Sequence, residues 1–370
     1  MQKLRVRIVG GSLAGLFAGI LLKRDGHDVQ IYERSSTGLA GRGAGLVAQA
    51  EVFHILRVLG LDHLARIGVV AKERIYFTRN GSIAERMNMP QTQISWDVLY
   101  STVTSQFCPD DYILGRRVHK VSAGKGGAVI TFDKGETEHA DLVIGADGLG
   151  SVVRSALNER SENQYAGYTA WRGLITENAL PEEASALIDR FSFYISRGIQ
   201  VLGYLVPGSN GEVEPGKRRY NWVWFRPVDK ASLQAELTGR DSRRFEFSLP
   251  RGEMSVERRT RLRRDALAML PPPFAYAVSA EPMPSIQGVY DYESQHIARE
   301  RVALIGDAAF VARPHTAMGV AKAAGDALSL HECLNAELAL SSALARYEAE
   351  RLPVGKAIVA YGRRLGATAL

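Results

Sequence analysis

Three short segments, far apart in the chain, combine glycine with residues that can contact a nucleotide. They are residues 10–15 (Gly-Gly-Ser-Leu-Ala-Gly) with Glu33 following, residues 146–148 (Ala-Asp-Gly) with Ser151 and Arg154 following, and residues 306–309 (Gly-Asp-Ala-Ala). Glycine lets backbone approach a phosphate closely, and a carboxylate at a strand end can accept hydrogen bonds from sugar hydroxyls. In this order, the three segments predict one site for flavin adenine dinucleotide (FAD).

The first segment has the surroundings of a dinucleotide-binding turn. Residues 6–9 form an apolar run that suits a buried strand, and residues 16–22 suit a packed helix. The first glycine permits the turn, the middle position lets backbone approach the pyrophosphate, and the last allows helix and strand to pack closely, although the middle position here is serine. The predicted FAD contacts of this region are Gly10, Ser12, Leu13, Ala14, Gly15, Glu33 at the ribose, Arg34, and Arg42 in a glycine-rich loop suited to the pyrophosphate.

The second segment follows a predicted strand. Asp147 and the flexible backbone of Gly148 can lie beside phosphates or a ribose, while Ser151 and Arg154 share one side of the helix predicted to begin here. The alternative is an aspartate that caps a helix, with Arg154 in solvent. The segment alone does not separate these two interpretations.

The third segment again presents a carboxylate at a strand end. Asp307 can accept a hydrogen bond from a ribityl hydroxyl, and the alanines after it let backbone lie along a flat ring. After Pro314, a small and largely apolar run that includes Gly319 and Val320 predicts a helix whose N-terminal N–H groups face the negative part of a reduced flavin. Lys322 and Asp326, four residues apart on that helix, are predicted to form a surface pair.

The candidate catalytic and substrate-binding side chains lie in the second half of the chain. His315 is predicted as a general base, or to orient a substrate hydroxyl, because imidazole titrates near neutral pH; the alternative is a histidine that only hydrogen-bonds its own loop. Tyr204 is predicted to face the flavin, with Trp222 or Trp224 as an aromatic wall, against the alternative of core packing. Arg313 is predicted either to hold an anionic substrate or to cap its loop.

The chain of 370 residues is longer than one hydrophobic core usually supports, so two domains are expected. The fold class is predicted to be α/β: a Rossmann-like FAD-binding domain from residues 1–71, 98–166 and 282–370, with an inserted β-sheet domain from residues 72–97 and 167–281. The inserted part is rich in alternating aromatic segments, and Asn80-Gly81 predicts a hairpin turn within it.

Composition excludes several classes of protein. Apolar residues at 46% and charged residues at 23% argue against disorder, and two cysteines are too few for a disulfide scaffold and lack the spacing of metal ligands. The net charge of +6 and six arginines within residues 251–264 raise the question of nucleic-acid binding, but acidic residues are interleaved, which favours a solvated helix. A weak positive field suits an anionic partner such as a nicotinamide cofactor.

The N-terminus has some features of a secretory signal, since three basic residues precede an apolar stretch. Glycines at dinucleotide spacing, a charged continuation at residues 23–25 and the lack of a clean cleavage site argue against export. The chain is therefore expected to be cytoplasmic, without membrane or nucleic-acid partners. A homodimer is considered, with Leu344 and Tyr347 of the helix-rich C-terminus as candidate contacts.

The motifs and their order resemble those of the single-component (class A) FAD-dependent aromatic hydroxylases, the family typified by para-hydroxybenzoate hydroxylase, over nearly the whole chain. Residues 165–168 (Tyr-Ala-Gly-Tyr), 171–173 (Trp-Arg-Gly) and 313–315 (Arg-Pro-His) are similar to those of its 2,6-dihydroxypyridine 3-hydroxylase branch. The chain departs from the family at Phe310, Ala317 and Ala321, where His, Gly and Asn are often found.

The resemblance implies a monooxygenase of aromatic catabolism. NADH or NADPH reduces FAD, O2 adds to the reduced ring, and a flavin C4a-hydroperoxide transfers one oxygen atom to an electron-rich phenol-like or hydroxypyridine-like ring. The protein then positions the substrate, excludes water and assists deprotonation of the substrate. Three alternatives remain open: a flavoprotein that oxygenates and opens a pyridine ring, a plain NAD(P)-dependent dehydrogenase, and a non-enzymatic nucleotide-binding regulator.

Overall fold

The computed structural model describes residues 2–41, 43, 45–66, 68–124 and 126–369. The helices, in chain order, are α1 (Leu13–Arg24), α2 (Ala50–Val58), α3 (Asp62–Arg66), α4 (Trp96–Thr104), α5 (Lys230–Glu236), α6 (Val256–Met269), α7 (Pro272–Ala280), α8 (Gly319–Ala336) and α9 (Leu340–Ala369). The strands are β1 (Arg5–Val9), β2 (Asp28–Glu33), β3 (Gly45–Val47), β4 (Val69–Ala71), β5 (Glu73–Phe77), β6 (Ile83–Met87), β7 (Gln91–Ser95), β8 (Tyr112–Leu114), β9 (Val118–Gly124), β10 (Gly127–Phe132), β11 (Thr137–Ala140), β12 (Leu142–Gly145), β13 (Gln164–Thr176), β14 (Arg190–Ser196), β15 (Ile199–Val206), β16 (Arg219–Pro227), β17 (Ser248–Leu249), β18 (Ser285–Glu293), β19 (Ala298–Arg299), β20 (Val302–Leu304) and β21 (Phe310–Val311).

The first layer is a six-stranded sheet in the order β19-β20-β12-β1-β2-β8. Its strands run parallel except at the β19–β20 edge. All four residues of β12 are buried, as in a sheet covered on both faces. Helix α1 packs against α8, and α8 against α9. This Rossmann-like arrangement confirms the predicted α/β fold class.

The second layer is a nine-stranded sheet in which β17-β18-β13-β16-β15-β14-β5-β6 are neighbours and β21 pairs with β18. Side chains alternate between its two faces. On one face, Trp171, Trp222 and Trp224 belong to the same buried cluster as Leu262 of α6 and Phe274 of α7, and we call it the helix-covered face. The other, which we call the front face, carries Arg172, Tyr204, Asn221, Val223 and Phe225.

Strand pairing bears on the proposed domain boundaries. Strand β5 pairs with β14, so the two inserted pieces contribute to one sheet. Strand β18 pairs with β13 in that sheet, although the proposed division assigned it to the FAD-binding part. Strand β7 pairs with β3 and β4, across the proposed boundary after residue 71. We retain the division into a FAD-binding part and an inserted sheet as a proposal, with β18 moved to the inserted sheet.

The C-terminal helix α9 is held against the first layer. Tyr347 is fully buried and its hydroxyl donates to the carbonyl oxygen of Leu304 at 2.8 Å, and Leu344 is also buried. Both side chains thus pack inside the protein itself, so the prediction that these two residues are dimer contacts was wrong. No helix in the described part of the chain is long and apolar enough to cross a membrane.

Candidate FAD and substrate site

The turn between β1 and α1 leaves no room for side chains at two glycines. Gly10 has a φ of 106°, and a Cβ there would lie 2.3 Å from the carbonyl oxygen of Ala146. At Gly15, a Cβ would lie 2.1 Å from the carbonyl oxygen of Gly10. The turn therefore brings the first and second motifs into direct contact and requires glycine at both positions.

Helix α1 offers backbone donors at its start. Its first intrahelical bond runs from the Leu16 N–H to the carbonyl oxygen of Ser12, and Ser12 makes no side-chain capping bond. The N–H groups of Leu13, Ala14 and Gly15 come before that bond and lack partners within the helix. Such donors at the positive end of a helix suit a pyrophosphate.

Glu33 ends β2 beside this turn and is buried. Its carboxylate accepts from the N–H of Gly11 at 3.0 Å and from the N–H of Ser35 at 2.8 Å. Glu33 thus holds the glycine turn in place at the position where the ribose was predicted. Arg34 is exposed, and Arg42 lies outside the described residues.

Asp147 shapes the second motif by local hydrogen bonds. It accepts from the Ser151 hydroxyl at 2.6 Å and from the Val152 N–H at 2.7 Å. Burial raises the pKa of this carboxyl group, and the bond from Ser151 opposes that effect. The segment continues as two 3-10 turns instead of a long helix, and the Asp147 carboxylate accepts from the N–H groups at the start of the second turn.

Arg154 is fully buried and joins the second motif to the third. Its Nε donates to the carbonyl oxygen of Ala308 at 2.9 Å and its Nη2 to that of Asp307 at 2.8 Å. The guanidinium also lies 3.8 Å from the ring centre of Tyr292. The alternative of Arg154 in solvent was therefore wrong. Its spacing from the Asp-Gly pair was visible in the sequence, but its partner carbonyls were not.

Asp307 follows β20 at the third motif and is half exposed, with 51% of its side chain accessible. The ammonium of Lys322 lies 3.4 Å from its carboxylate and is fully buried. Asp326 is buried too, accepting from the Gly306 N–H at 2.9 Å and from Arg351 Nε at 2.8 Å. Lys322 and Asp326 thus form no surface pair, a correction to the sequence interpretation, and both support the turn that carries Asp307.

The segment between β21 and α8 turns back at Ala317, which has the left-handed φ of 53°. Pro314 begins the short 3-10 turn before it, and Gly319 and Val320 open α8. Glycine favours a left-handed conformation more than alanine does, so the Gly often found here in the family has a physical reason. After this turn, α8 lies beside the third motif, since Lys322 contacts Asp307 and Asp326 contacts Gly306.

These residues fit FAD. The turn from Gly10 to Gly15, which we call the glycine cradle, and the free N–H groups at the start of α1 match a pyrophosphate. The exposed carboxylate of Asp307 matches a polyhydroxyl chain. No group of three or more His, Cys, Asp or Glu side chains within the described ranges is placed to hold a metal ion.

His315 lies between the third motif and the front face of the nine-stranded sheet. Its Nε2 and the hydroxyl of Tyr168 on β13 are 2.9 Å apart, and its ring centre lies 4.0 Å from that of Phe225. Burial, with help from Arg313 and Arg172, lowers the pKa of His315 to about 4. The imidazole is therefore neutral near pH 7. The prediction of a general base rested on a pKa near that pH, and His315 does not have one. Its Nδ1 is buried and has no hydrogen-bond partner among the residues that the structure describes.

Tyr204 also lies on the front face, opposite Asn221 of β16. Its ring stacks on Phe191 with centres 4.6 Å apart. Burial raises the pKa of its hydroxyl, so it stays protonated near neutral pH. A Cβ on Gly45 would come within 3.3 Å of the Tyr204 ring, which puts β3, the strand after the glycine-rich loop, directly against this tyrosine.

The structure does not support the other predicted substrate contacts. Trp222 and Trp224 have 0% and 1% exposure and face α6 and α7, on the side of the sheet opposite Tyr204, because side chains of one strand alternate. A Cβ on Gly173 would clash with the Trp222 indole at 2.2 Å, which ties this tryptophan to core packing. Arg313 is held by Asp291 through Nη2 at 2.9 Å and Nε at 3.1 Å, so its charge is already paired.

Comparison with known proteins agrees with this geometry. Residues 259–361 match a family model described as FAD binding domain, and residues 165–291 match one described as FAD binding domain-like. The chain is 30% identical to the 2,6-dihydroxypyridine 3-monooxygenase of Paenarthrobacter nicotinovorans, over 95% of this chain and 88% of that protein. It is 27% identical to the 6-hydroxynicotinate 3-monooxygenase of Pseudomonas fluorescens, again over 95% and 88%. The solved 2,6-dihydroxypyridine-3-hydroxylase from Arthrobacter nicotinovorans superposes with a TM-score of 0.92 at 28% identity, covering 100% of this chain and 93% of that one.

Proposed function

Because this chain belongs to the family of FAD-dependent aromatic monooxygenases, we propose that it hydroxylates an electron-rich aromatic or N-heteroaromatic ring, with NAD(P)H as reductant and O2 as the oxygen source. Two relatives act, by their names, on oxygen-substituted pyridines. A hydroxypyridine-like or phenol-like substrate is therefore the class that we propose for this chain.

One contact carries the proposal for where the substrate lies. The Tyr168 hydroxyl on β13 is 2.9 Å from Nε2 of His315, in the loop that continues from the Gly306-Asp307 turn. This contact joins the front face of the sheet to the FAD-binding segment. We infer that the substrate lies on the front face, over Val223 and Phe225, with the flavin ring on the side of the His315 loop.

FAD, once reduced, would supply the chemistry that activates O2 and delivers one oxygen atom to the ring carbon. The start of α1 would hold the pyrophosphate, Glu33 the ribose side of the cradle and Asp307 the ribityl chain. Pro314 and the first residues of α8, Gly319 and Val320, would face the pyrimidine side of the flavin. These residues bind and orient the cofactor, and the front face positions the carbon to be oxidised.

His315 is proposed to orient the substrate. Nε2 is at hydrogen-bond distance from the Tyr168 hydroxyl, and Nδ1 has no partner among the described residues, so Nδ1 is the atom left for a ring oxygen of the substrate. It donates to that oxygen when Nε2 accepts from Tyr168, and it accepts from a substrate hydroxyl when Nε2 carries the proton. The lowered pKa of His315 keeps the imidazole neutral near pH 7, so one of its ring nitrogens carries a proton and the other accepts. The buried hydroxyl of Tyr204, across the front face, is proposed to fix the ring from the other side.

The proposal is tested with the purified protein, its visible spectrum and a panel of hydroxypyridines, hydroxybenzoates and other phenols. We expect a yellow protein whose NADH or NADPH oxidation and O2 uptake rise with one class of aromatic compound. The product should be heavier by one oxygen atom and keep its aromatic absorbance. A product whose ring has opened would contradict hydroxylation, and a protein that binds no added FAD would contradict the site as a whole.

A further inference from the structure

Arg172 lies in the middle of the front face. It pairs in register with Val223 on one side and with Ser285 on the other, in the row between Tyr204 and Phe225. Its Nε donates to Oε1 of Gln287 at 3.2 Å, and this neutral amide is the one hydrogen-bond partner that Arg172 has among the described residues. Burial lowers the pKa of the guanidinium, and of the neighbouring groups the Tyr204 hydroxyl opposes this effect.

Four arginines on or next to this sheet differ from Arg172 in having acidic partners, whereas Arg74 of β5, like Arg172, forms no ion pair among the described residues and lies over the rings of Phe191 and Phe193. The pairs are Arg313 with Asp291, Arg226 with Asp265, Arg218 with Glu177 and Arg219 with Asp97, at distances of 2.9, 2.5, 2.6 and 3.2 Å. A buried charge is costly unless a counter-charge or several hydrogen bonds compensate for it. In the described part of the chain, no carboxylate forms an ion pair with Arg172, and its side chain is half-buried, so the guanidinium is available to an anionic ligand.

Polar side chains around Arg172 also lack hydrogen-bond partners among the described residues. Oε1 of Gln200 and Nδ1 of His315 are buried without hydrogen-bond partners within the described residues, and the buried Asn221 amide has none there apart from a contact with the Tyr204 hydroxyl beside it. Asn221 and Gln200 lie on the front face in the rows on either side of Arg172, where Val223 and Phe225 provide an apolar floor. Buried polar groups are nearly always hydrogen-bonded in a complete structure. This combination fits a flat ring whose edge carries polar substituents.

We propose that Arg172 binds an anionic oxygen of the aromatic substrate, and that Asn221 hydrogen-bonds a second polar substituent of the same ring. The anionic oxygen is either a carboxylate or an ionised ring hydroxyl. This subsite makes the enzyme selective for ring anions, a substrate class narrower than the hydroxylation that we propose above and on which this inference rests. Arg172 takes over the anion-binding role that the sequence had suggested for Arg313.

Matched neutral and anionic ligands test the subsite. The probes are benzoate against benzamide, nicotinate against nicotinamide, and 4-nitrophenol against 4-nitroanisole, with binding to the FAD-loaded protein followed by the change in flavin absorbance. We expect the anion of at least one pair to bind about tenfold or more tightly than its neutral partner, the size of a charge-assisted hydrogen bond in a buried site. Preference in the first two pairs identifies a carboxylate, and preference in the third identifies an ionised hydroxyl.

Substitution assigns the preference to the residue. Arg172→Met should remove the difference between anion and neutral partner, Arg172→Lys should restore part of it, and Arg264→Met, an exposed arginine on α6, should leave it intact. The inference is overturned if wild-type protein binds the neutral partners as well as the anions, or if Arg172→Met keeps the preference. Should Arg172→Met fail to hold FAD, the wild-type comparison and Arg172→Lys decide. A protein that hydroxylates only neutral rings would overturn the inference and leave the proposed function standing.

Discussion

The hydroxyl of Tyr168 and Nε2 of His315 are 2.9 Å apart, so a strand of the substrate sheet is hydrogen-bonded to the loop that follows the third FAD motif. The contact lets an imidazole be buried between Tyr168 and Phe225, which lowers its pKa to about 4. A histidine held neutral in this way serves as a fixed hydrogen-bonding group between the two parts of the site.

Burial of His315 makes stability depend on pH. Its pKa is about 4 in the folded protein against 6.5 for an ordinary histidine, so between these values the unfolded chain binds more protons. The free energy of unfolding should therefore fall as the pH decreases from 6.5 to 4. His315→Gln should lose less thermal stability over this range than wild-type protein, as measured by the melting temperature. His54→Gln, at an exposed site on α2, is the control, and equal losses in all three proteins would contradict the account.

The glycine cradle should not tolerate a single methyl group at Gly15. A Cβ there would lie 2.1 Å from the carbonyl oxygen of Gly10, so Gly15→Ala must displace the turn that receives the pyrophosphate. Overpacking of this kind costs about 1–3 kcal/mol, and we expect FAD affinity to fall by about tenfold or more in a fluorescence titration. Gly124→Ala, where nothing lies within 4 Å, should bind FAD as wild-type protein does. Equal FAD affinity of the two variants would count against the cradle.

Arg154 should be needed for both stability and cofactor retention. Arg154→Met leaves the carbonyl oxygens of Asp307 and Ala308 without their donors, and loss of such a buried network costs about 3 kcal/mol or more. The melting temperature should fall and FAD should be lost on gel filtration. Arg154→Lys should not rescue either property, because an ammonium lacks the planar fork that reaches both carbonyls. A variant as stable as wild-type protein would show that the two motifs are held by other contacts.

Lys322 should favour FAD binding without stabilising the FAD-free protein. Its ammonium is buried, has no hydrogen-bond acceptor in the described structure and lies 3.4 Å from Asp307. Replacing a poorly compensated buried charge by an apolar side chain of similar volume is often neutral or stabilising. Lys322→Met should thus keep or raise the melting temperature of the FAD-free protein and weaken FAD binding, while Lys356→Met, at an exposed position of α9, changes neither. A less stable Lys322→Met variant with unchanged FAD affinity would contradict this prediction and show that Lys322 only stabilises the fold.

Much of the FAD site could be predicted because its signals are local. The glycine turn, the helix after it and the acid at the end of β2 lie within one short stretch, and the structure has α1 and β2 where that stretch predicts them. The hairpin at Asn80-Gly81 is likewise confirmed, between β5 and β6. Such features depend on backbone conformation and on apolar periodicity, and both can be inferred from neighbouring residues.

The substrate face depends on contacts between distant parts of the chain. Alternation groups Trp222 with Trp224 and Asn221 with Val223, but the side covered by α6 and α7 is decided only by packing. In the same way, the pairing of Arg313 with Asp291 and the lack of such a partner for Arg172 are visible only once β13, β18 and the third motif are together. Sequence pattern therefore predicted the strands, but it could not show that Trp222 and Trp224 lie on the helix-covered face, away from the face proposed for the substrate.

The most direct test of the central claim follows one oxygen atom. The FAD-loaded protein is supplied with NADH or NADPH, isotopically labelled O2 and the ring anion that binds most tightly, and the product is analysed by mass spectrometry. We predict a hydroxylated aromatic product that carries one labelled oxygen atom. One molecule of NADH or NADPH should be consumed for each molecule of product formed. Reductant consumed with only hydrogen peroxide formed for every ring that binds, or a product whose new oxygen comes from water, would contradict the account.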